Sequence, residues 1–225
     1  MHSIEFPRKR QLTEPATMTT ILQINSSLHG DDAQSSRLAS DFVAAMAGSR
    51  ERQDSTSPTR IRLIVRDLSS KPVPHLTAER LTALSTAAAE RTLDQQRIVS
   101  ESDELIDELT RADVIVIGLP MYNFGVPSTL KAYFDHAARA GVTFRYTAEG
   151  PVGLLTGKKA YVFATRGGRY AGTTADLQTA YVRQFLGFVG IRDVEFVYAE
   201  GLALGADERN SAVADAVARI GQLAA

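Results

Sequence analysis

Four consecutive residues, Met121-Tyr122-Asn123-Phe124, place a thioether, two aromatic rings and a carboxamide just beyond a run of β-branched residues that reads as a buried strand. Groups this large bury poorly in a loop unless something flat covers them. A flavin ring would do so, because its dimethylbenzene edge is apolar while its pyrimidine edge is rich in acceptors. Met121 and the two aromatics supply stacking surface, and Asn123 with the loop amides supplies directed donors. A hydrophobic loop that merely plugs the end of a sheet is the simpler reading.

Two further loops carry chemistry. Residues 25–37, NSSLHGDDAQSSR, join an apolar run to a helix-like stretch. Unpaired amides at a helix start and the helix dipole both favour an anion, and Ser27, Ser35 and Ser36 add hydroxyl donors, so the loop reads as a phosphate cradle. Ordinary capping by Ser35 or Ser36 would need no ligand. A dinucleotide fingerprint requires G-x-G-x-x-G here, and only Gly30 is present. The segment GLLTGKK at 153–159 fails as a Walker loop: Val152 stands where the first glycine belongs, Lys159 replaces the Ser/Thr, and a strand follows. What remains is a serine-lined mononucleotide phosphate site. The third loop is Ala164-Thr165-Arg166-Gly167-Gly168-Arg169-Tyr170, where paired glycines let backbone approach a ligand and accept positive φ. Arg166 or Arg169 could meet a phosphate or the pyrimidine rim, and a plain Gly-Gly turn is the alternative.

These loops need a frame. Apolar, β-branched runs at 20–25, 61–66, 114–118, 160–165 and 194–198 have the pattern of strands buried on both faces. Between them, helix-like stretches fall at 36–47, 78–89, 93–110, 127–140, 174–188 and 207–224, with a polar loop at 48–59. The alternation predicts an α/β fold, a five-stranded parallel sheet doubly wound with helices on both faces. Ligands of such sheets sit beyond the carboxyl ends of the strands, where strand order reverses. The loops after strands one, three and four are the ones singled out above.

Composition narrows the partners. The chain has 225 residues, 44% hydrophobic, with 25 basic and 26 acidic residues, so one domain with a substantial core is expected and no charge excess invites nucleic acid. Cysteine is absent, which removes disulfides, thiolate nucleophiles and zinc-thiolate sites and fits a reducing, cytoplasmic setting. No apolar run approaches the ~20 residues that span a bilayer. Residues 1–17 lack the apolar core of a signal peptide and read as a disordered extension before a domain at 18–225. Carboxylates at one-turn spacing in Ser102-Asp103-Glu104-Leu105-Ile106-Asp107-Glu108 have no nearby histidine, so a solvated helix face is expected there rather than a metal site.

From about Met18 onward the sequence resembles the FMN-dependent NADH azoreductases, flavodoxin-like enzymes also described as NADH:quinone oxidoreductases. The stretches that carry the likeness are SSLHGDDAQSS, PMYNFGVPSTLKAYFDHAARAGVTFRYTAEGPVGLLTGKKA, ATRGG and FLGFVGIRDVEFVYAEG. The resemblance implies that Ser27 and Ala33-Gln34-Ser35 hold the FMN phosphate, that Met121, Tyr122, Asn123 and Phe124 hold the ring, and that Thr165, Arg166, Gly167 and Gly168 flank its pyrimidine side. It implies NADH as donor, quinones and azo compounds as acceptors, a homodimer with its active sites at the interface, and Tyr146 and Phe188 as substrate-pocket aromatics. No acid–base residue is required, since the flavin carries the hydride. The family often has Ser-Gln-Ser where this chain has Ala33-Gln34-Ser35; the missing hydroxyl is expected to cost about 1 kcal/mol of phosphate binding while the amide remains. A flavodoxin-type electron carrier would use the same fold, but such carriers tend to be strongly acidic, unlike this chain.

Overall fold

A computed structural model describes residues 18–53 and 60–225. The expected disordered extension at 1–17 lies outside the described residues.

Five parallel strands, β1 (Met18–Asn25), β2 (Arg60–Asp67), β3 (Val114–Pro120), β6 (Lys159–Thr165) and β7 (Asp193–Ala199), form one sheet in the order β2-β1-β3-β6-β7. The chain winds outward from β1 to β2, then returns past β1 to β3 and winds the other way. Strand order therefore reverses between β1 and β3, and the crevice at that point opens at the carboxyl ends of the strands.

Helices cover both faces. α1 (Gln34–Gln53) and α6 (Ala206–Leu223) bury Leu38, Phe42, Ala216 and Ile220 against Ile21, Val116 and Phe163 on one side. On the other, α3 (Leu93–Arg111), α4 (Ser128–Ala137) and α5 (Leu177–Val189) bury Leu105, Leu109, Leu130, Phe134, Val182 and Leu186 against Leu22, Ile115 and Ile117. All seven residues of β3 are buried, as a strand covered on both faces requires.

Several boundaries differ from the sequence reading. α1 continues through Gln53, past the polar loop expected from 48, because arginine, glutamate and glutamine are good helix formers despite their polarity. The rest of that loop, 54–59, lies outside the described residues. The stretch 78–89 divides into α2 (Ala78–Ser85) and a 3₁₀ turn at Ala88–Glu90. α4 ends at Ala137, before Gly141, where the Thr143 hydroxyl donates to the Ala137 carbonyl at 2.7 Å. A hairpin outside the main sheet, β4 (Phe144–Thr147) with β5 (Gly150–Gly153), was not anticipated.

On α3 the carboxylates of Asp103, Glu104 and Asp107 are exposed, as a solvated face requires, and Glu108 alone of the run turns inward. Arg66 on β2 bonds to Glu104 at 2.6 Å and to the buried Glu108 at 2.5 Å, while Asp103 pairs with Arg139. Among the described residues no three potential ligands stand together.

Candidate functional site

The loop after β1 is built against β3. The Ser26 hydroxyl donates to the Gly118 carbonyl at 2.7 Å and its amide to the same oxygen at 3.2 Å. A Cβ on Gly118 would lie 2.9 Å from the Ser35 carbonyl oxygen, so glycine there lets the first turn of α1 rest directly on the strand. Ser35 and Ser36 are buried in that turn, and neither hydroxyl has a hydrogen-bond partner. They do not cap the helix, as ordinary capping would have required. The amides of Gln34, Ser35 and Ser36 lack acceptors inside the helix, as in any first turn. The Ala33 amide, expected to stay available, instead donates to the Gly30 carbonyl at 3.3 Å. Arg37, the nearest cation in sequence, pairs with Asp32 at 3.3 Å. An anion here would be held by hydroxyls and amides.

The loop after β3 is a tight turn. Tyr122 and Gly125 exchange backbone hydrogen bonds of 3.2 and 3.0 Å, and both central residues are left-handed, Asn123 at φ 48° and Phe124 at φ 65°. Two successive non-glycine residues in that region are strained and must be held there by their surroundings. The turn presents the exposed Asn123 carboxamide and the Phe124 ring, while the Tyr122 hydroxyl sits 3.1 Å from Ser27 Oγ and 3.3 Å from the Leu28 amide. Tyr122 thus braces the two loops together. Met121 is half-buried, and its amide donates to the Thr165 carbonyl at 3.0 Å.

The loop after β6 corrects two expectations. Arg166 does not offer its charge to a ligand: its side chain is fully buried, bonded to Asp176 at 2.8 Å, Glu200 at 3.0 Å and Thr179 at 3.0 Å, and it lies over the Tyr198 ring. Burial alone would raise the Asp176 carboxyl, but Arg166 and the Thr179 amide and hydroxyl outweigh it and hold the pKa below the ordinary carboxylate value. Nor are Gly167 and Gly168 at positive φ. Gly168 is small because a Cβ would meet the Tyr170 ring at 2.7–3.1 Å, and the Arg166, Gly167 and Gly168 carbonyls accept from Leu202, Ala203 and Gly201. The Gly167 and Gly168 amides take no protein acceptor among the described residues. Arg169 pairs with Glu208 on the surface.

Beside Asn123 and Phe124 runs a groove of about 490 Å³, walled also by Val126, Leu177, Gln178 and Tyr181. Burial, with Asp135 nearby, pushes the Tyr181 hydroxyl up to about 12, so it remains a neutral donor. Tyr146 and Phe188 do not line this groove. They meet each other's neighbour instead, packing on Phe144 with ring centroids 5.4 and 4.3 Å away. Phe188 is partly buried against the core, whereas Tyr146 is 73% exposed.

The sequence reading passed over Gln178, Asp176 and Glu200. A single glutamine in a helix and two acids in loops give no spacing signal, and only the fold reveals that all three are pinned against the site.

The residues present suit a flavin mononucleotide. Two buried hydroxyls without partners stand at a helix start, which suits an anion, and the Gly167 and Gly168 amides, without protein acceptors among the described residues, follow the strand next to β3, whose own loop exposes an aromatic and a carboxamide group. Comparison with known proteins agrees. The sequence model described as flavodoxin-like fold matches residues 19–224. The chain is 54% identical over 199 residues to an FMN-dependent NADH:quinone oxidoreductase of Burkholderia pseudomallei, covering 88% of this chain and 96% of that one. It is 51% identical over 205 residues to a protein of the same name from Cellvibrio japonicus, covering 91% and 98%. Among solved structures, an FMN-dependent NADH-azoreductase from Bacillus anthracis in complex with FMN is 27% identical with a TM-score of 0.76, covering 92% and 100%.

Proposed function

The chain belongs to the flavodoxin-like family and, within it, to the FMN-dependent NADH:quinone oxidoreductases; from that premise we propose a division of labour among its residues. When bound, FMN would supply the redox chemistry, two-electron transfer from NADH to a quinone or, over two rounds, reductive cleavage of an aromatic azo bond to amines.

Ser27, Ser35 and the amides of Gln34 and Ser35 hold the phosphate, with Ala33 contributing only its place in the turn. Met121 and Phe124 pack on the ring, Asn123 and its neighbouring amides reach the polar edge, and Tyr122 braces the turn from behind. Thr165, Gly167 and Gly168 flank the pyrimidine side, and Arg166 shapes that loop from beneath. The observation that carries this reading is the pair of orphaned hydroxyls, Ser35 and Ser36, buried at the start of α1 beyond the β1–β3 switch point. No proton-transfer side chain is needed, because a quinone can take up protons from solvent as it is reduced to the hydroquinone.

The enzyme works as a cytoplasmic homodimer with one FMN per subunit. Tyr146, 73% exposed and T-shaped to Phe144, is suited to closing the acceptor side of the other subunit's slot, with Phe188 behind it. Among the described residues no helix is long and apolar enough to cross a membrane. The relatives' names favour this enzyme over a flavodoxin-type electron carrier.

The deciding experiment is the visible spectrum of the purified protein, recorded before and after NADH without oxygen. A yellow protein that NADH bleaches and a quinone recolours is expected. A protein that stays colourless after incubation with FMN would overturn the reading.

A further inference from the structure

We propose that the first turn of α5 is a clamp that sets the gap between the two walls of the flavin slot, and that Gln178 is its positioning residue; the proposal rests on the FMN reading above.

Gln178 is 1% exposed, although it is a polar residue in the first turn of a helix. Its Nε2 donates to the Pro120 carbonyl at 2.8 Å and to the Gly125 carbonyl at 3.2 Å. Those two oxygens bracket the strained turn: Pro120 ends β3, and Gly125 closes the reverse turn whose central residues, Asn123 and Phe124, are both left-handed. One amide group therefore holds both ends of a segment that would otherwise relax. Its Oε1 is buried without a partner, so the side chain is kept for what its nitrogen does.

The same helical turn grips the other wall. Asp176, the N-cap of α5, accepts from the Thr179 amide at 3.0 Å and from Arg166 at 2.8 Å, and the Thr179 hydroxyl is 3.0 Å from the same guanidinium nitrogen. Arg166 is the first residue after β6. Glu200, on its far side, accepts from Arg166 and also from the amides of Tyr170 and Ala171, which fixes the remainder of that loop. Two residues apart on one rigid turn, Gln178 and Asp176 thus tie down the Met121–Gly125 side and the Arg166–Tyr170 side. Across the top, Phe124 meets Tyr170 edge-on, with ring centroids 5.7 Å apart. A flat ring between these walls needs their separation fixed before it arrives, and the α5 turn fixes it.

The test uses the full-length protein with Gln178→Met, which keeps the length and volume of the side chain but removes the donor. Two measurements are made: exchange of the Tyr122 and Gly125 amides in the FMN-free protein, and the FMN dissociation constant by flavin fluorescence. Exchange at those amides is expected to rise about tenfold while the β3 core amides keep their protection, and the FMN dissociation constant is expected to rise about tenfold. Gln178→Glu supplies a readout that a purely structural role would not move. Its carboxyl group can donate only when protonated, so its FMN affinity should recover toward wild type as pH falls, whereas that of Gln178→Met should not. Unchanged exchange at Tyr122 and Gly125 together with unchanged FMN affinity in Gln178→Met would overturn the clamp. Should the wild-type protein bind no FMN, the functional reading fails, and the amide exchange still decides the clamp.

Discussion

The hydroxyl of Tyr122 stands 3.1 Å from Ser27 Oγ and 3.3 Å from the Leu28 amide, which bolts the turn after β3 to the loop after β1. The loop proposed to take the phosphate and the turn proposed to take the ring are therefore one mechanical unit. Tyr122→Phe removes this brace and leaves the ring in place. A hydrogen bond of this kind contributes about 1 kcal/mol net, so the FMN dissociation constant should rise roughly fivefold, as measured by fluorescence titration.

Ser35→Ala separates ligand binding from folding. The hydroxyl is fully buried and unpartnered, so its removal relieves a desolvation cost. The FMN-free protein should be as stable in urea or more stable by about 1 kcal/mol, while FMN binds several-fold more weakly. A loss of stability without loss of FMN affinity would mean that the hydroxyl serves the fold alone.

At Asn123, backbone and side chain can be tested apart. The residue sits at φ 48°, which asparagine tolerates better than alanine and glycine adopts freely. Asn123→Ala should cost about 1 kcal/mol of stability and impair NADH:quinone turnover. Asn123→Gly should restore stability but leave turnover impaired, because the carboxamide is still missing. Steady-state rates at the wild-type level with normal FMN content in both variants would remove Asn123 from the ring site.

Acid should loosen the slot before it unfolds the protein. The Asp176 pKa is held below its ordinary value of 3.8, so its pairing with Arg166 contributes stability that is fully present above about pH 4 and is lost as pH falls through the lower, folded-state value. In Asp176→Asn, which can still cap α5, the fall in stability between pH 5 and 2 should be shallower than in wild type. Urea midpoints across that range provide the check.

The frame was legible because its signal is periodic. Five β-branched runs predicted five parallel strands, and each strand formed with its ends within two residues of the run. The loops were legible because Met121 to Phe124 and the serines around Ala33 are residue types that a surface loop has little reason to collect. What escaped was set by tertiary contact. Whether Arg166 meets a ligand or an internal acid depends on Asp176 and Glu200, which lie 10 and 34 positions away in the chain. The β4–β5 hairpin has only four residues per strand, and its turn closes through Gly150 at φ 117°, too short a pattern to stand out from loop. Gln178 offers no sequence signal, since its importance lies in two carbonyl groups 53 and 58 positions earlier.

At the far end of α5, Gly190 caps the helix in a left-handed conformation, and a Cβ on Gly153 of the β4–β5 hairpin would fall 2.1 Å from the Gly190 nitrogen. Helix and hairpin thus meet backbone to backbone, with no side chain between them to absorb movement. The 13 residues of α5 form a rod about 20 Å long. One end bonds to Pro120, Gly125 and Arg166, and the other abuts the hairpin on which Tyr146 stands. With the clamp proposed above, an occupant that displaces the hairpin is expected to be felt at the slot through this rod. In that case reciprocity requires that such a molecule alter the affinity for FMN by the same factor that FMN alters the affinity for it.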